Sequence, residues 1–458
     1  MARLLVVGGG VAGLSVVHYA RQAAPELQIT LLEADLRLGG KVATLREDGF
    51  VVEGGPDAVV RYKPWALALM RELGLEAEIV GTLPARPSAL IHDGRRALPI
   101  PAGLQMVVPG DLVALARSPL LSPLGKARAL LDLFLPKGPP GDEAFGAFIR
   151  RRLGQQVWER LAAPLSGGIY GGDPAELSTL AAFPQLKALE AAHGSLIRGA
   201  MRQRRERGTR EGGQLFASLR GGLGAVVEAL RARLEGVELR LGVEVSGLEH
   251  RQGWRVHTPE GSFLADAVVL ATPAGVSGQL LEALHPEAAR ALRQIPYGPS
   301  ATVTLAFEQR HLPPRVGHGL LLAAGSGFAA RGFTWTDQKW PGRAPEGVGL
   351  VRAYFSGLEA SEEELVALAR RDLERLWGRV PSPLRTWVFR WSQGLPRYTL
   401  GHQERVAQAM RAEELPGLFL AGAAYQGVGL PEVVRMGQAV AVRAVRFLQA
   451  GPAASSWL

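Results

Sequence analysis

The 458-residue chain has no cysteine. That absence excludes disulfides, thiolate catalysis, cysteine-ligated metal and a cysteinyl bond to a prosthetic group. Aromatic residues make up only 7%, and acidic residues fall short of basic ones, 43 against 52, leaving a net charge of +9. Long apolar runs are missing as well. The most apolar stretch, 104–135, is interrupted by Pro109, Asp111, Pro119, Pro123, Lys126 and Arg128, which is too often for a membrane span. It reads as a set of buried amphipathic helices, with peripheral membrane contact as the alternative. No secretion-type segment precedes the first strand, so a cytoplasmic location is expected. The nine histidines are dispersed. His311 and His318 lack a carboxylate at metal-site spacing, and no metal is expected.

The basic surplus is nearly all arginine, whose planar fork suits carboxylates and phosphates, so it points to an anionic small substrate or an anionic membrane surface. The run 198–210 holds Arg198, Arg202, Arg204, Arg205, Arg207 and Arg210 without interleaved aromatics. A solvated helix end or linker explains it better than nucleic acid does.

What the chain has is glycine in ordered places. The apolar strand Leu4–Val7 runs into Gly8, Gly9, Gly10, Val11, Ala12 and Gly13, a G-x-G-x-x-G turn, and a helical pattern follows from Leu14 to Arg21. Such a turn brings backbone N–H groups and a helix N-terminus to a pyrophosphate, and the last glycine lets helix and strand pack closely. Glu33 ends the next strand, Ile29–Leu32, where a carboxylate accepts from ribose hydroxyls and repels a 2′-phosphate. Arg37, Gly39, Gly40 and Lys41 then offer a second backbone pass at the same phosphates, which favours a flavin dinucleotide over a nicotinamide one. The strand Phe50–Glu53 leads into Gly54, Gly55, Pro56 and Asp57, a turn without bulky side chains that suits a flat ring. A hairpin with an ordinary loop is the alternative.

The remaining parts of this lobe lie far downstream. We expect a helix over Gly221–Leu234, strands at Val237–Leu241, Val243–Leu248 and Val268–Thr272, and a last strand at Leu418–Gly422. A Gly-rich turn follows at Gly427–Pro431, then a helix over Glu432–Leu448, with Pro431 at its first position. The N–H groups of this turn, aimed at a flavin edge, would stabilise a reduced, anionic ring. The expected fold is therefore α/β, with a Rossmann-type FAD-binding domain assembled from residues 1–90, 211–274 and 401–458. A helical insertion would occupy 91–210, and a mixed α+β substrate domain 275–400, with strands at Ala301–Phe307, Leu350–Phe355 and Trp387–Trp391. The helix Ser361–Trp377 begins with an N-cap and an acidic first turn, so Glu362, Glu363 and Glu364 read as capping groups rather than catalytic ones.

Several segments allow a family to be named. Pro164–Asp173 (P-L-S-G-G-I-Y-G-G-D), Leu177-Ser178, Phe183-Pro184, Trp335–Pro341, Trp391…Pro396-x-Tyr398-x-x-Gly401-His402 and Ala424–Pro431 resemble those of the oxygen-dependent protoporphyrinogen and coproporphyrinogen III oxidases of haem biosynthesis, within the amine-oxidase-like flavoproteins. The resemblance runs over essentially the whole chain. It implies noncovalent FAD contacted by Gly8 to Gly13, Glu33, Ala34, Lys41, Gly55, Pro56, Asp57, Ala58, Val245, Trp391, Val428, Gly429 and Leu430. Arg37, Gly39, Gly40 and Gly422 are counted with them.

It also implies a porphyrinogen substrate, oxygen as acceptor, and possible contacts with the next haem-pathway enzyme and a membrane surface. Gly168 and Tyr170 would line the macrocycle, without a dedicated acid–base pair. Plant and animal members carry an arginine where this chain has Ser88, with Arg86 offset nearby, and this leans the substrate toward coproporphyrinogen III over protoporphyrinogen IX. The rival readings are an amine oxidase or carotenoid-type desaturase on the same scaffold, and a non-catalytic carrier of the same fold.

Overall fold

In the computed structural model the described residues are 1–170, 172–207 and 214–450, without the side chains at 105, 168–170 and 207. The surroundings of Gly168 and Tyr170, and Arg210 of the basic run, therefore lie outside what is described.

Continuous apolar runs flanked by helices form a parallel sheet, because both faces of such a sheet are covered. Its five strands stand in the order Val237–Leu241, Gln28–Glu33, Arg3–Val7, Ala267–Leu270 and Leu418–Leu420, all parallel. This is the doubly wound order, with the earliest strand at the centre and three of the five strands supplied from beyond residue 230. Helix Val11–Ala23 packs on it and is crossed by helix Leu430–Ala450. The crossing is tight at Gly437, where a Cβ would come within 2.6 Å of the Ser15 Cβ and 3.0 Å of the Ala12 carbonyl.

Two local expectations are corrected here. Only Gly247–His250 of the second downstream segment is a strand. Val243 instead donates its N–H to the Glu33 carbonyl and Gly242 to that of Asp35, so 242–246 wraps the end of the neighbouring strand rather than extending a ladder. Helix Leu430–Ala450 also starts one residue before Pro431.

A second sheet has seven strands in the order Arg385–Trp391, Ser300–Glu308, Val348–Ser356, Gly332–Trp335, Gly319–Leu322, Leu90–His92 and Ala97–Pro99. The strands at 90–99 thus join this sheet, and the boundary read at residue 90 cuts the first of them. Side chains alternate across a strand with period two. Ala301, Val303, Leu305, Val351, Ala353 and Phe355 accordingly face helix Glu362–Trp377 in one core. That helix carries the expected N-cap at Ser361, which forms a reciprocal capping box with Glu364. The opposite face carries Thr302, Thr304, Arg352, Tyr354 and Trp391 in register.

The intervening 112–207 segment is helical around its own apolar core. It is fastened by the fully buried pair Arg152–Asp132 at 2.6 Å, whose remaining hydrogen-bonding groups reach the Pro136 and Gly194 carbonyls, Ser195 Oγ and Ile197 N–H. Satisfaction of every donor is the condition under which such a buried pair is tolerated.

Tyr398 couples the three parts. Its carbonyl accepts from Ser178 N–H, and its hydroxyl donates to the Ala423 carbonyl and accepts from Gly427 N–H at 2.8 Å. His402 stacks on its ring at 3.8 Å between centroids, buried to 1% exposure. Burial, aided by Arg405, pushes the His402 pKa down to about 4. The folded state therefore holds a neutral imidazole whose stabilisation is complete above pH 6.5 and is lost as pH falls from 6.5 toward 4, by on the order of 3 kcal/mol. Urea midpoints measured at pH 7.5 and pH 5 should fall less in His402→Phe than in the parent; equal falls would refute the assignment.

Candidate functional site

The three glycine motifs meet backbone to backbone. Gly13 lies so close to the preceding turn that a Cβ would sit 1.9 Å from the Gly8 carbonyl oxygen, the close helix–strand approach that the third glycine permits. Gly8 holds φ +105°, a region that favours glycine. The second pair docks on the first: Gly39 N–H donates to the Gly9 carbonyl at 2.8 Å, and a Cβ on Gly40 would come within 3.3 Å of the Gly10 Cα. The third closes on the second, since a Cβ on Gly55 would lie 1.8 Å from the Lys41 carbonyl. Residues distant in sequence thereby form one seam without side chains. At Gly10 itself a Cβ would meet nothing closer than 4.0 Å, so this seam has an open face.

Polar groups border that face. Glu33 accepts from Gly9 N–H at 2.5 Å and from Asp35 N–H at 2.9 Å, so its carboxylate holds the turn as well as standing at the strand end. Ala34 follows it, exposed. Arg37 bonds the Gly40 carbonyl at 2.7 Å and lies 5.4 Å over the Trp391 ring. The Lys41 amine makes no ion pair among the described residues and stands 6.0 Å from the Tyr297 ring, and burial lowers its pKa. A partly buried cation beside the N-terminus of helix Val11–Ala23 fits an anionic diphosphate, and the open face at Gly10 fits a dinucleotide laid along the glycines.

The 54–57 turn is fixed from the second sheet. Trp391 Nε1 donates to the Gly54 carbonyl at 2.9 Å, and the Arg352 guanidinium to that of Gly55 at 2.6 Å. A side chain at Gly54 would strike the Phe389 ring. The Asp57 carboxylate is held from the second sheet as well: Oδ2 accepts from Lys339 Nζ at 2.7 Å and Trp340 Nε1 at 3.1 Å. Burial alone would raise this carboxyl, but Lys339 and Arg352 outweigh it and hold it well below the usual range. The W-T-D-Q-K-W-P segment is thereby explained as an anchor. Its Asp337 takes a bidentate bond from Arg315 and caps Leu350 N–H, while Lys339 and Trp340 take Asp57. Pro56 and Ala58 remain partly exposed beside the turn.

At the other end, the 427–430 turn lies between two cores. Val428 packs on the helical core and Leu430 on that of the parallel sheet. Side chains at Gly427 and Gly429 would collide with Glu432. Gly422 holds φ +137° just after the last parallel strand. Val245 is buried in the same core as the glycine-bearing strand. Arg86 and Ser88 are exposed on the 82–89 segment, whose Leu83 N–H donates to the Lys339 carbonyl at 2.9 Å. Arg352, Tyr354, Thr302 and Lys339 were not singled out from sequence, although an arginine inside the apolar run 350–355 is the kind of buried charge that signals a role.

Residues 11–445 match the model of the flavin-containing amine oxidoreductases. The chain is 33% identical to the coproporphyrinogen III oxidase of Bacillus subtilis (strain 168), covering 97% of this chain and 98% of that one. It is 37% identical to the coproporphyrinogen III oxidase of Propionibacterium freudenreichii subsp. freudenreichii over 94% and 88% of the two chains. A crystal structure from Exiguobacterium sp. 255-15, of a protein proposed to be a protoporphyrinogen oxidase, superposes with a TM-score of 0.86 at 36% identity, covering 97% of this chain and 99% of that one. The seam, the two sheets and the helical insertion are thus those of the flavin-containing amine oxidoreductase family, and within it the chain belongs to the protoporphyrinogen and coproporphyrinogen oxidase group.

Proposed function

We propose that the protein is an FAD-dependent porphyrinogen oxidase of haem biosynthesis that converts coproporphyrinogen III to coproporphyrin III with oxygen as acceptor. The observation that carries this reading is the convergence at Tyr398. That residue joins the 177–178, 396–402 and 424–431 segments, each similar to the porphyrinogen-oxidising group. FAD, when bound, supplies the two-electron oxidations, three per porphyrin, that take hydride from the methylene bridges and release one hydrogen peroxide each. The chain's own residues bind and orient.

Gly8 to Gly13, Gly39 and Gly40 would receive the diphosphate, with Lys41 and Arg37 for charge and Glu33 for the ribose. The turns at 54–58 and 427–430, with Trp391, would border the ring. The polar sheet face and the 163–175 segment would cover the macrocycle. Loss of protons from the pyrrole nitrogens needs no dedicated base, because conjugation provides the driving force. The preference for coproporphyrinogen III is supported by the serine at 88 and by the names of the similar bacterial proteins.

No helix among the described residues is long and apolar enough to cross a membrane. Val113, Leu124, Leu131 and Phe134 are nonetheless exposed on the helical insertion, which supports peripheral membrane contact as part of this reading.

Purified protein should carry FAD that acid or heat releases completely, since no cysteinyl link can form. A colourless protein, or flavin that stays attached after denaturation, would count against the reading. Glu33→Ala should raise the FAD dissociation constant at least tenfold while preserving the circular dichroism spectrum, because a charge-assisted bond is worth roughly 1.5 to 3 kcal/mol. An unchanged constant would leave Glu33 only its role at Gly9. Anaerobically prepared coproporphyrinogen III should be oxidised at least as efficiently as protoporphyrinogen IX, with three peroxides per porphyrin. Clear preference for protoporphyrinogen would overturn the substrate choice, and turnover of amines with neither porphyrinogen consumed would overturn the whole assignment.

A further inference from the structure

A cavity of about 220 Å³ opens between the helical insertion and the seven-stranded sheet, away from the glycine seam. Arg150 and Trp158 line it from the insertion, Gly167 and Asp173 from the segment that follows, and Leu322 and Arg331 from the sheet. It is too small for a tetrapyrrole and roomy enough for one carboxyalkyl arm.

Among the described residues each arginine is held by hydrogen bonding through Nε alone. Arg150 donates through Nε to Gln155 Oε1 at 2.9 Å while its guanidinium lies 4.8 Å over the Trp158 ring. Arg331 donates through Nε to Ser356 Oγ at 3.2 Å. Neither has a carboxylate within ion-pair distance among the described residues, whereas Arg151, Arg152, Arg204 and Arg315, also withdrawn from solvent, each have one. Stacking fixes the plane of a guanidinium and leaves its in-plane N–H donors free. Asp173, the acidic group of the lining, is turned to its own backbone, accepting from Ala175 N–H. Two guanidinium groups and one carboxylate leave one positive charge in the cavity.

Its position relates it to the site. Ser356, which anchors Arg331, is in register with Ser300, and Ser300 with Trp391. Two strand spacings, about 10 Å, therefore separate Ser356 from the tryptophan that holds the 54–57 turn. An arm of a macrocycle lying over that turn spans such a distance.

We infer that Arg150 and Arg331 form a subsite for one carboxylate of the substrate, clamped end-on between the helical insertion and the sheet. This rests on the porphyrinogen reading and names specificity-determining residues for it. Residues from two separate units must close on the same carboxylate, so the subsite also reports how the units stand when substrate is bound.

The test measures quenching of flavin-loaded protein by coproporphyrin III and by its tetramethyl ester, in the parent and in Arg150→Gln, Arg331→Gln and the corresponding lysine variants. Each glutamine variant should raise the dissociation constant for the acid roughly tenfold. The ester should bind all variants alike, and lysine should restore part of the loss. The same variants should raise KM for coproporphyrinogen III with kcat held. Unaltered binding of the acid by both glutamine variants, in a protein that still oxidises coproporphyrinogen III, would overturn the subsite and leave the function standing. Equal losses for acid and ester would also overturn it, as the mark of a merely structural role. A parent protein that neither binds coproporphyrin III nor oxidises the porphyrinogen would overturn both.

Discussion

The buried charges beneath the 53–57 turn are the constraint on which the rest of the site depends. Glu53 and Asp57 alternate there with Arg343, Arg352 and Lys339, all largely removed from water. Glu53 is held by Thr44 Oγ1 and by Leu223 N–H, and Arg343 by Ser218 Oγ and the Leu219 carbonyl. Charges taken out of water are costly unless closely paired, and loss of one partner leaves the other uncompensated. The arrangement therefore has little freedom, and it locks the glycine-bearing lobe onto the second sheet at one height and one angle. Trp391 and Arg352 can reach the Gly54 and Gly55 carbonyls only in that setting.

This junction also explains why the turn carries glycine. The approach of Gly55 to the Lys41 carbonyl and of Gly54 to the Phe389 ring leaves no room for Cβ atoms. Backbone against backbone is the thinnest wall a protein can build, and it keeps the neighbouring surface flat. The polar face of the seven-stranded sheet then stands opposite, while its apolar face is spent on the 362–377 helix. One strand periodicity thus serves both stability and the lining of the cleft.

Much of the parallel sheet was legible because its signals are local: Leu4–Val7 with Gly8 to Gly13, Glu33 at a strand end, and Val237–Leu241; the Ser361 N-cap marked the 362–377 helix in the same way. The course of 243–246 was not, since an apolar run reads as a strand whether it joins a ladder or wraps a neighbour's end. The membership of Leu90–His92 was hidden for a related reason: its partner, Gly319–Leu322, lies more than two hundred residues away. The partners of the Asp57 carboxylate were hidden as well, because Lys339 and Trp340 come to it only through tertiary packing. The cationic cavity was invisible for the same reason, Arg150 and Arg331 being unremarkable singly.

The interleaved strand order has a consequence for synthesis. The central strand Arg3–Val7 emerges first, yet its neighbour Ala267–Leu270 and the edge strand Leu418–Leu420 are made hundreds of residues later. Helix Val11–Ala23 waits still longer for Leu430–Ala450 to cover it. On the ribosome the nascent amino-terminal half therefore exposes an unpaired strand edge and an uncovered apolar helix, surfaces that invite aggregation or capture by a chaperone. The helical insertion draws most of its core from residues 107–200, so it depends less on segments made late. Completion of the lobe that carries the glycine seam thus waits for segments made long after its first strand.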